Sequence, residues 1–379
     1  MRIFFSAGEP SGDLHGSNLI QTIRSLDPAT QITGFGGPKM RAAGADLLYP
    51  LTDLAVMGLR RVVGKLPTFF RLGADAERAF RVARPDAVVL IDYPGFNFAL
   101  GRRAHAAGIP VFYFVPPQLW AWRSGRVRDL RKWCSGVLSA LPFEHDWFRA
   151  RGVPTHYVGH PYFDELATQR PDADFVTRVR AGSRPVVALL PGSRDQEVAG
   201  NAGMMLAAAA RLKDARPETR FLVAAFNARH AGVVRDLANA TGVPVEVHVG
   251  RTPEVIDAAD ACVAVSGSVS LELLYRLKPT VVVYRKKPLS LWLARRLVKT
   301  KYFTLVNLLA GEELFPEIAT SRDESAEIAR RIEGWLANPA ERESLVSRIR
   351  ELRDRVAVPG ACARAAAFLL NTSARQSAA

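Results

Sequence analysis

Cysteine is scarce: Cys134, Cys262 and Cys362 stand far apart and form no Cys-x-x-Cys pair. That excludes a disulfide framework and a structural zinc site, and fits buried thiols in a reducing compartment. Long apolar runs are missing too. Residues 104–122 lack formal charge over nearly a bilayer's length, yet Gly108, Pro110, Pro116 and Pro117 interrupt them, so the stretch is not expected to span a membrane. The amino terminus has one arginine and a very short apolar run before Glu9 and Asp13, the pattern of a first strand and not of a signal peptide. The first turn is not a Gly-x-Gly-x-x-Gly fingerprint, and no Walker lysine follows a glycine loop, which sets aside hydride chemistry and NTP hydrolysis. No helix-turn-helix, RNP or zinc module marks a nucleic-acid binder. The one Asp-x-Asp, at Asp172 and Asp174, falls in a polar stretch and reads as solvated charge. Nothing else suggests a metal.

What is present is length, charge and βα repetition. A chain of 379 residues exceeds the usual single core and points to two α/β domains. A net charge of +14 and a pI near 10.1 call for an anionic partner. Apolar runs at 3–7, 32–35, 87–91, 111–115 and 137–140 alternate with amphipathic stretches, then recur at 186–190, 221–225, 245–249, 261–265 and 280–284. This predicts two doubly wound, mostly parallel sheets facing each other across a cleft. The expected boundaries are 1–165, 166–355 and 356–379, with a polar linker over 164–185. The last segment is read as a helix after the breaker Pro359-Gly360, packing back on the first domain, with a frayed tail after Asn371.

Three turns follow predicted strands, where open parallel sheets bind their ligands. Ser266, Gly267, Ser268 and Ser270 end an apolar strand and open a helix, a place for a phosphate, and Glu272 stands within reach of a ribose hydroxyl. Gly192, Ser193, Arg194 and Glu197 form a second turn with a fixed cation. Glu9, Ser11, Gly12, Asp13 and His15 form the first. The plainer alternatives are serines that cap helices and an ion pair between Arg194 and Glu197. Such turns admit nucleotide-sugar transfer, epimerisation or dinucleotide chemistry. If a diphosphate leaves, Arg194 and helix N–H groups neutralise it in place of magnesium.

Ala7-Gly-Glu-Pro-Ser-Gly-Asp-Leu-His-Gly16, Gly36-Gly-Pro-Lys-Met40, Pro117-Gln-Leu-Trp-Ala-Trp-Arg123, Pro142-Phe-Glu144, Val158-Gly-His-Pro161 and Leu190-Pro-Gly-Ser-Arg194 together resemble the lipid-A-disaccharide synthase family over nearly the whole chain. The resemblance implies a GT-B glycosyltransferase, working at the cytoplasmic face of the inner membrane without a cofactor. Its reaction transfers 2,3-diacylglucosamine from the UDP donor to 2,3-diacylglucosamine 1-phosphate, giving a β-1,6 disaccharide. It further implies UDP in the second domain, with Arg194 and the 266–270 turn on the diphosphate, Glu272 near the ribose and Asn307 near the donor. Some members dimerise through exchanged carboxyl-terminal helices. A homodimer stays open here.

Inverting transfer needs a base for the acceptor hydroxyl. The family segment Asp-x-Pro-Asp-Phe-Asn reads Asp92-Tyr-Pro-Gly95-Phe-Asn97 here, so its second acid is absent. Asp92 is the nearest replacement, with Glu9, Asp13 and His15 as further candidates. Asp86 is expected to be structural. Gln118 and Arg123 flank Trp120 and Trp122 in a loop expected to face the cleft. Because both substrates carry acyl chains, docking on an anionic membrane is expected. Two segments interleave cations with bulky apolar groups: Leu59, Arg60, Arg61, Val62, Lys65, Phe69 and Phe70 in one, Trp292, Arg295 and Arg296 in the other. The rival readings are another UDP-sugar enzyme of the same architecture, epimerase or transferase, and a membrane-associated UDP-sugar-binding protein without turnover.

Overall fold

A computed structural model describes residues 1–55, 66–182, 184–298 and 300–377. The chain divides into two compact units, Met1–Ala167 together with Val358–Ala379, and Thr168–Ala357.

The first unit is built on a seven-stranded sheet in the order β3-β2-β1-β4-β5-β6-β7. Its strands are β1 (Arg2–Ala7), β2 (Gln31–Gly36), β3 (Asp46–Pro50), β4 (Ala87–Ile91), β5 (Val111–Phe114), β6 (Gly136–Ser139) and β7 (Thr155–Tyr157), and every pairing is parallel. Central strands buried on both faces are apolar at every position instead of alternating. Phe4, Val88, Leu90, Val111, Tyr113 and Val137 fill one core, while Ile3, Phe5, Val89, Ile91, Phe112 and Leu138 fill the other. That division follows from the two-residue period of side-chain direction in a strand.

The second core is closed by two helices, Pro10–Leu26 and Ala361–Ser377. From the latter come Cys362, Ala365, Ala366 and Leu369, which pack beside Leu19, Ile20 and Ile23. The helix continues past Asn371, where the sequence predicted fraying. Asp164 fastens its start, because one carboxylate accepts the backbone N–H groups of Gly360, Ala361 and Cys362, the last two at 3.1 and 2.8 Å. Carboxylates suit these otherwise unpaired first-turn donors.

The second unit carries a six-stranded parallel sheet in the order β10-β9-β8-β11-β12-β13. The strands are β8 (Val186–Leu190), β9 (Arg220–Ala225), β10 (Glu246–Val249), β11 (Ala261–Val265), β12 (Thr280–Arg285) and β13 (Glu317–Thr320). The stretch expected to be a linker is largely helical, over Pro161–Thr168 and Ala173–Arg180. Its polar residues are spent on structure. Asp172 caps the second helix by accepting from Phe175 N at 3.0 Å and pairs with Arg251 at 2.9 Å, while Phe175 and Val179 are buried.

In both sheets the order reverses once, between β1 and β4 in the first unit and between β8 and β11 in the second. Crevices at such reversals are where doubly wound sheets bind ligands.

Removing the Asp164 carboxylate leaves three helix-start donors without their acceptor. Asp164→Ala should lower the unfolding free energy by about 1–3 kcal/mol, measured by denaturant titration. Hydrogen exchange should rise first in residues 361–377.

Candidate active site

At the first reversal, β1 runs into Glu9 and β4 into Asp92. Glu9 stands at the N-cap of the helix Pro10–Leu26, yet its side chain makes no capping bond; it is partly exposed, as is Asp92. Asp92 and Tyr93 both take left-handed backbone angles, with φ of 44° and 47°. Val115, one residue past β5, has φ 49°, and Arg123 has φ 56°. Each such residue costs about 1–3 kcal/mol, and such conformations persist where the surroundings over-determine them.

The restraints are explicit. Buried Asn97 donates from its amide nitrogen to the carbonyls of Asp92 at 2.8 Å, Ile91 at 3.1 Å and Ser6 at 3.3 Å, and accepts from Ser6 Oγ at 2.7 Å. The Tyr113 hydroxyl donates to the Asp92 carbonyl at 2.6 Å, and Asp92 N donates to Val115 O at 3.3 Å. The Tyr93 ring lies against Gly8, where a Cβ would stand 2.3 Å from it; only glycine permits that approach.

Glu144 completes the acidic group. It is buried at the start of the helix Pro142–Arg149, just past β6, and accepts from Trp120 Nε1 at 3.0 Å and Ala140 N at 3.2 Å. Burial pushes its carboxyl up to about 7, against the pull of those bonds, and the charge of Asp92 adds to the rise. Burial likewise raises the Tyr93 phenol, with the charge of Glu9 contributing. Glu144 thus senses Asp92, and Tyr93 senses Glu9, at adjoining strand ends.

Three predicted residues of the first turn prove structural. Asp13 is buried and accepts the N–H groups of Gly37 at 2.8 Å, Lys39 at 3.0 Å and Met40 at 3.0 Å, so its carboxylate anchors the helix Pro38–Ala42 and is not placed as a base. Gly12 is buried beside Ala7 and Ile91. His15 is buried edge-on to His160, with ring centroids 5.6 Å apart. Burial lowers its pKa to about 4, with Lys39 assisting, and that of His160 to about 3, with His15 assisting. His15 is therefore an enclosed neutral imidazole. Ser11, Gln118, Trp122 and Arg123 are exposed, and the Arg123 guanidinium covers the Trp122 ring at 4.8 Å. Trp120 is buried edge-on to Phe143 and carries no open face. Asp86, at the opposite edge of the sheet, accepts from Arg2 N at 2.7 Å.

At the second reversal, Gly192 follows β8 with φ 112°, a conformation that favours glycine. Ser193 and Arg194 are exposed. Glu197 is turned inward on the loop: it accepts Ser193 N at 3.1 Å, Arg194 N at 3.2 Å and the Arg194 guanidinium at 3.1 Å. This corrects Glu197 from ligand contact to loop brace, and the plainer ion pair with Arg194 is present. After β11, Gly267 and Ser268 are exposed and Ser266 is half-buried. Ser270 is buried, with its hydroxyl donating to Gly267 O at 2.8 Å, so it closes the turn. Glu272 is buried against Arg276 at 3.0 Å, which also holds Asp257 at 2.7 Å. Glu272 thus belongs to an internal ion-pair network. Asn307 is fully buried and spends both ends of its amide. It donates to Phe315 O at 2.7 Å and Glu317 Oε1 at 2.9 Å, and accepts from Leu314 N and Phe315 N at 2.8 Å each. It braces the loop before β13 and has no capacity left for a ligand.

Of the expected docking residues, Leu59, Arg60, Arg61, Val62, Lys65 and the side chain of Arg295 lie outside the described residues. Phe69 packs against the core beside Tyr93 and Phe96, so it is corrected to a core residue, while Phe70 is exposed. The helix Pro288–Leu297 presents Leu289, Trp292, Leu293 and Leu297 to solvent, with Arg296 over the Trp292 ring at 5.6 Å. That spacing is one helical face. Among the described residues no helix is long and apolar enough to cross a membrane.

Sequence reasoning passed over Tyr93, Asn97, Tyr113 and Glu144 as site residues. The readable signal was a polar or acidic residue directly after an apolar strand, present in both Asp92-Tyr93 and Pro142-Phe-Glu144.

A family model described as lipid-A-disaccharide synthetase matches residues 3–367. The lipid-A-disaccharide synthase of Myxococcus xanthus (strain DK1622) is 35% identical over 375 residues, covering 97% of each chain. That of Alkalilimnicola ehrlichii is 40% identical over 323 residues, covering 84% of each. Among solved structures, the S. aureus MnaA–UDP co-structure is similar with a TM-score of 0.68 at 11% identity, covering 96% of this chain and 94% of that one. The UDP-GlcNAc 2-epimerase of Neisseria meningitidis bound to UDP-GlcNAc is similar with a TM-score of 0.63 at 12% identity, covering 98% and 99%. At such identities the structural likeness concerns the fold alone, which is GT-B: two doubly wound Rossmann-like domains.

The buried histidines give the fold an acid limit. Their folded pKa values lie below the ordinary 6.5, so the folded chain binds fewer protons than the unfolded one. The resulting stability is present above about pH 6.5 and is lost as pH falls through about 4. Thermal midpoints should drop over that window, and His160→Leu should flatten the drop.

Proposed function

The chain belongs to the lipid-A-disaccharide synthetase family, and from that premise we propose that it is an inverting transferase. It moves 2,3-diacylglucosamine from a UDP donor to 2,3-diacylglucosamine 1-phosphate, forming the β-1,6 disaccharide and UDP. The observation that carries this reading is the contrast between the two sheet reversals. Asp92 on strained backbone stands with Glu9 at one, and an exposed guanidinium with small-residue turns stands at the other. Charge that develops on a departing diphosphate needs donors already in place, which Arg194, Ser193 and the 266–268 turn supply.

Asp92 serves as the base. As the acceptor's 6-oxygen attacks the anomeric carbon, the bond from that carbon to the diphosphate breaks and the hydroxyl proton passes to the Asp92 carboxylate. Glu9 sits across the same reversal as the alternative base. Gly95 does not block this arrangement: no atom lies within 4 Å of where its Cβ would stand, so an acid at that position fits without repacking. The family match sets the epimerase reading aside, since the epimerases resemble this chain in fold only.

Thin-layer analysis should show disaccharide and UDP formed from the two lipid sugars. Asp92→Asn should cut turnover by about 10²–10⁴-fold, whereas Gly95→Asp should leave folding intact and support turnover in the Asp92→Asn background. Arg194→Ala should weaken UDP binding by about 10- to 100-fold in calorimetry. Free UDP without disaccharide would favour a different transferase, and UDP binding with no product would favour a binding protein.

Both substrates carry acyl chains, so the enzyme docks peripherally on the anionic inner-membrane surface. The exposed face Leu289–Trp292–Leu293–Leu297, with lysines 286 and 287 at its start, supports this. An apolar face flanked by cations suits an interface between headgroups and acyl chains. The protein should sediment with phosphatidylglycerol vesicles and come off at high salt, and Trp292→Ser should weaken the association. Equal sedimentation with neutral vesicles would count against it.

A further inference from the structure

The loop between β5 and the short helical turn Ser124–Arg126 is poorly supported by its own backbone. Beyond Val115, which bonds to Leu138 O and Asp92 N, its backbone bonds among the described residues are local: Leu119 N to Pro117 O, Ala121 N and Trp122 N to Gln118 O, and Arg126 N to Arg123 O. It begins at Val115 and includes Arg123, both in the left-handed region, and neither residue adopts that conformation readily. Yet it displays Gln118, Trp122 and Arg123 together, and its first residue is bonded to Asp92 N. Something outside the loop must fix it. The one buried polar side-chain contact from its centre to another element among the described residues is the bond from Trp120 Nε1 to Glu144.

We propose that Glu144 is a positioning residue for the acceptor. Its buried carboxylate, anchored to Ala140 N on one oxygen and to the Trp120 indole on the other, holds loop 115–123 so that Gln118, Trp122 and Arg123 receive the acceptor sugar beside Asp92. The edge-on contact of Phe143 with Trp120 at 4.9 Å means that the helix start bearing Glu144 grips the same indole twice, once by polarity and once by shape. Glu144 itself is 2% exposed, so it acts through Trp120. This rests on the reading that the first reversal takes the acceptor.

The test pairs two readouts on the intact protein. Hydrogen exchange should speed up in residues 115–123 of Glu144→Ala and of Trp120→Phe, and speed up less in Glu144→Gln, whose single amide oxygen can still accept from the indole but leaves Ala140 N without its acceptor. The KM for 2,3-diacylglucosamine 1-phosphate should rise by about 10- to 100-fold in the first two variants, with the KM for the UDP donor unchanged. The double variant should lose no more than either single one, because both cut the same link. Trp120→Phe carries the test if Glu144→Ala fails to fold. Unaltered exchange in 115–123 would overturn the positioning role whatever the activity. Faster exchange with an unchanged acceptor KM, or equal losses for both substrates, would overturn its link to the acceptor. A parent protein that makes no disaccharide would instead sink the underlying reading, leaving the exchange data to judge the hold of Glu144 on the loop.

Discussion

One buried amide organises the first unit. Asn97 reaches three carbonyls on two adjacent strands and takes a hydroxyl bond from β1, so the chain can turn at Asp92 through a conformation it would otherwise leave. Without that amide the buried Ile91 carbonyl would lose a donor and the Asp92 carbonyl would keep only the Tyr113 hydroxyl, at a cost comparable to the strain itself. The strained turn sets the partly exposed Asp92 at the point where the sheet order reverses. The placement of Asp92 is thus a property of backbone that is held in place.

The second unit uses carboxylates for the same purpose. Glu197 gathers two amides and a guanidinium of the loop after β8, and Glu317 gathers Phe303 N, Thr304 N, Thr304 Oγ1 and the Asn307 amide. In each case an internal anion fixes a loop. Glu197 also orients the Arg194 guanidinium, and in the proposed donor role that reduces the ordering that phosphate binding would impose.

The strands were legible because parallel strands buried on both faces leave continuous apolar runs, and the reversals came from their alternation with helices. Glu9, Asp92 and Arg194 were legible because each stands just past the end of such a run. The same rule over-reached at Asp13 and Glu197, because the residues that greet a ligand at a helix start are also those that satisfy backbone N–H groups there. Sequence spacing does not say which way such a side chain turns. Glu144 escaped notice for the opposite reason: an acid in a first helical turn looks ordinary until it is seen to be buried with an indole donating to it. The polar stretch at 164–185 does contain the boundary between the two units, but its helices were not legible because its acids work on caps and ion pairs, which composition does not distinguish from solvation.

The return of the helix Ala361–Ser377 to the first sheet sets an order of assembly. During synthesis, one apolar face of that sheet has only the helix Pro10–Leu26 over it while the entire second unit is made, since Cys362, Ala365, Ala366 and Leu369 emerge from the ribosome late. Nascent chains with such open faces are prone to association, so the growing polypeptide needs either fast release or a holding chaperone until its final turns wrap the place where it began.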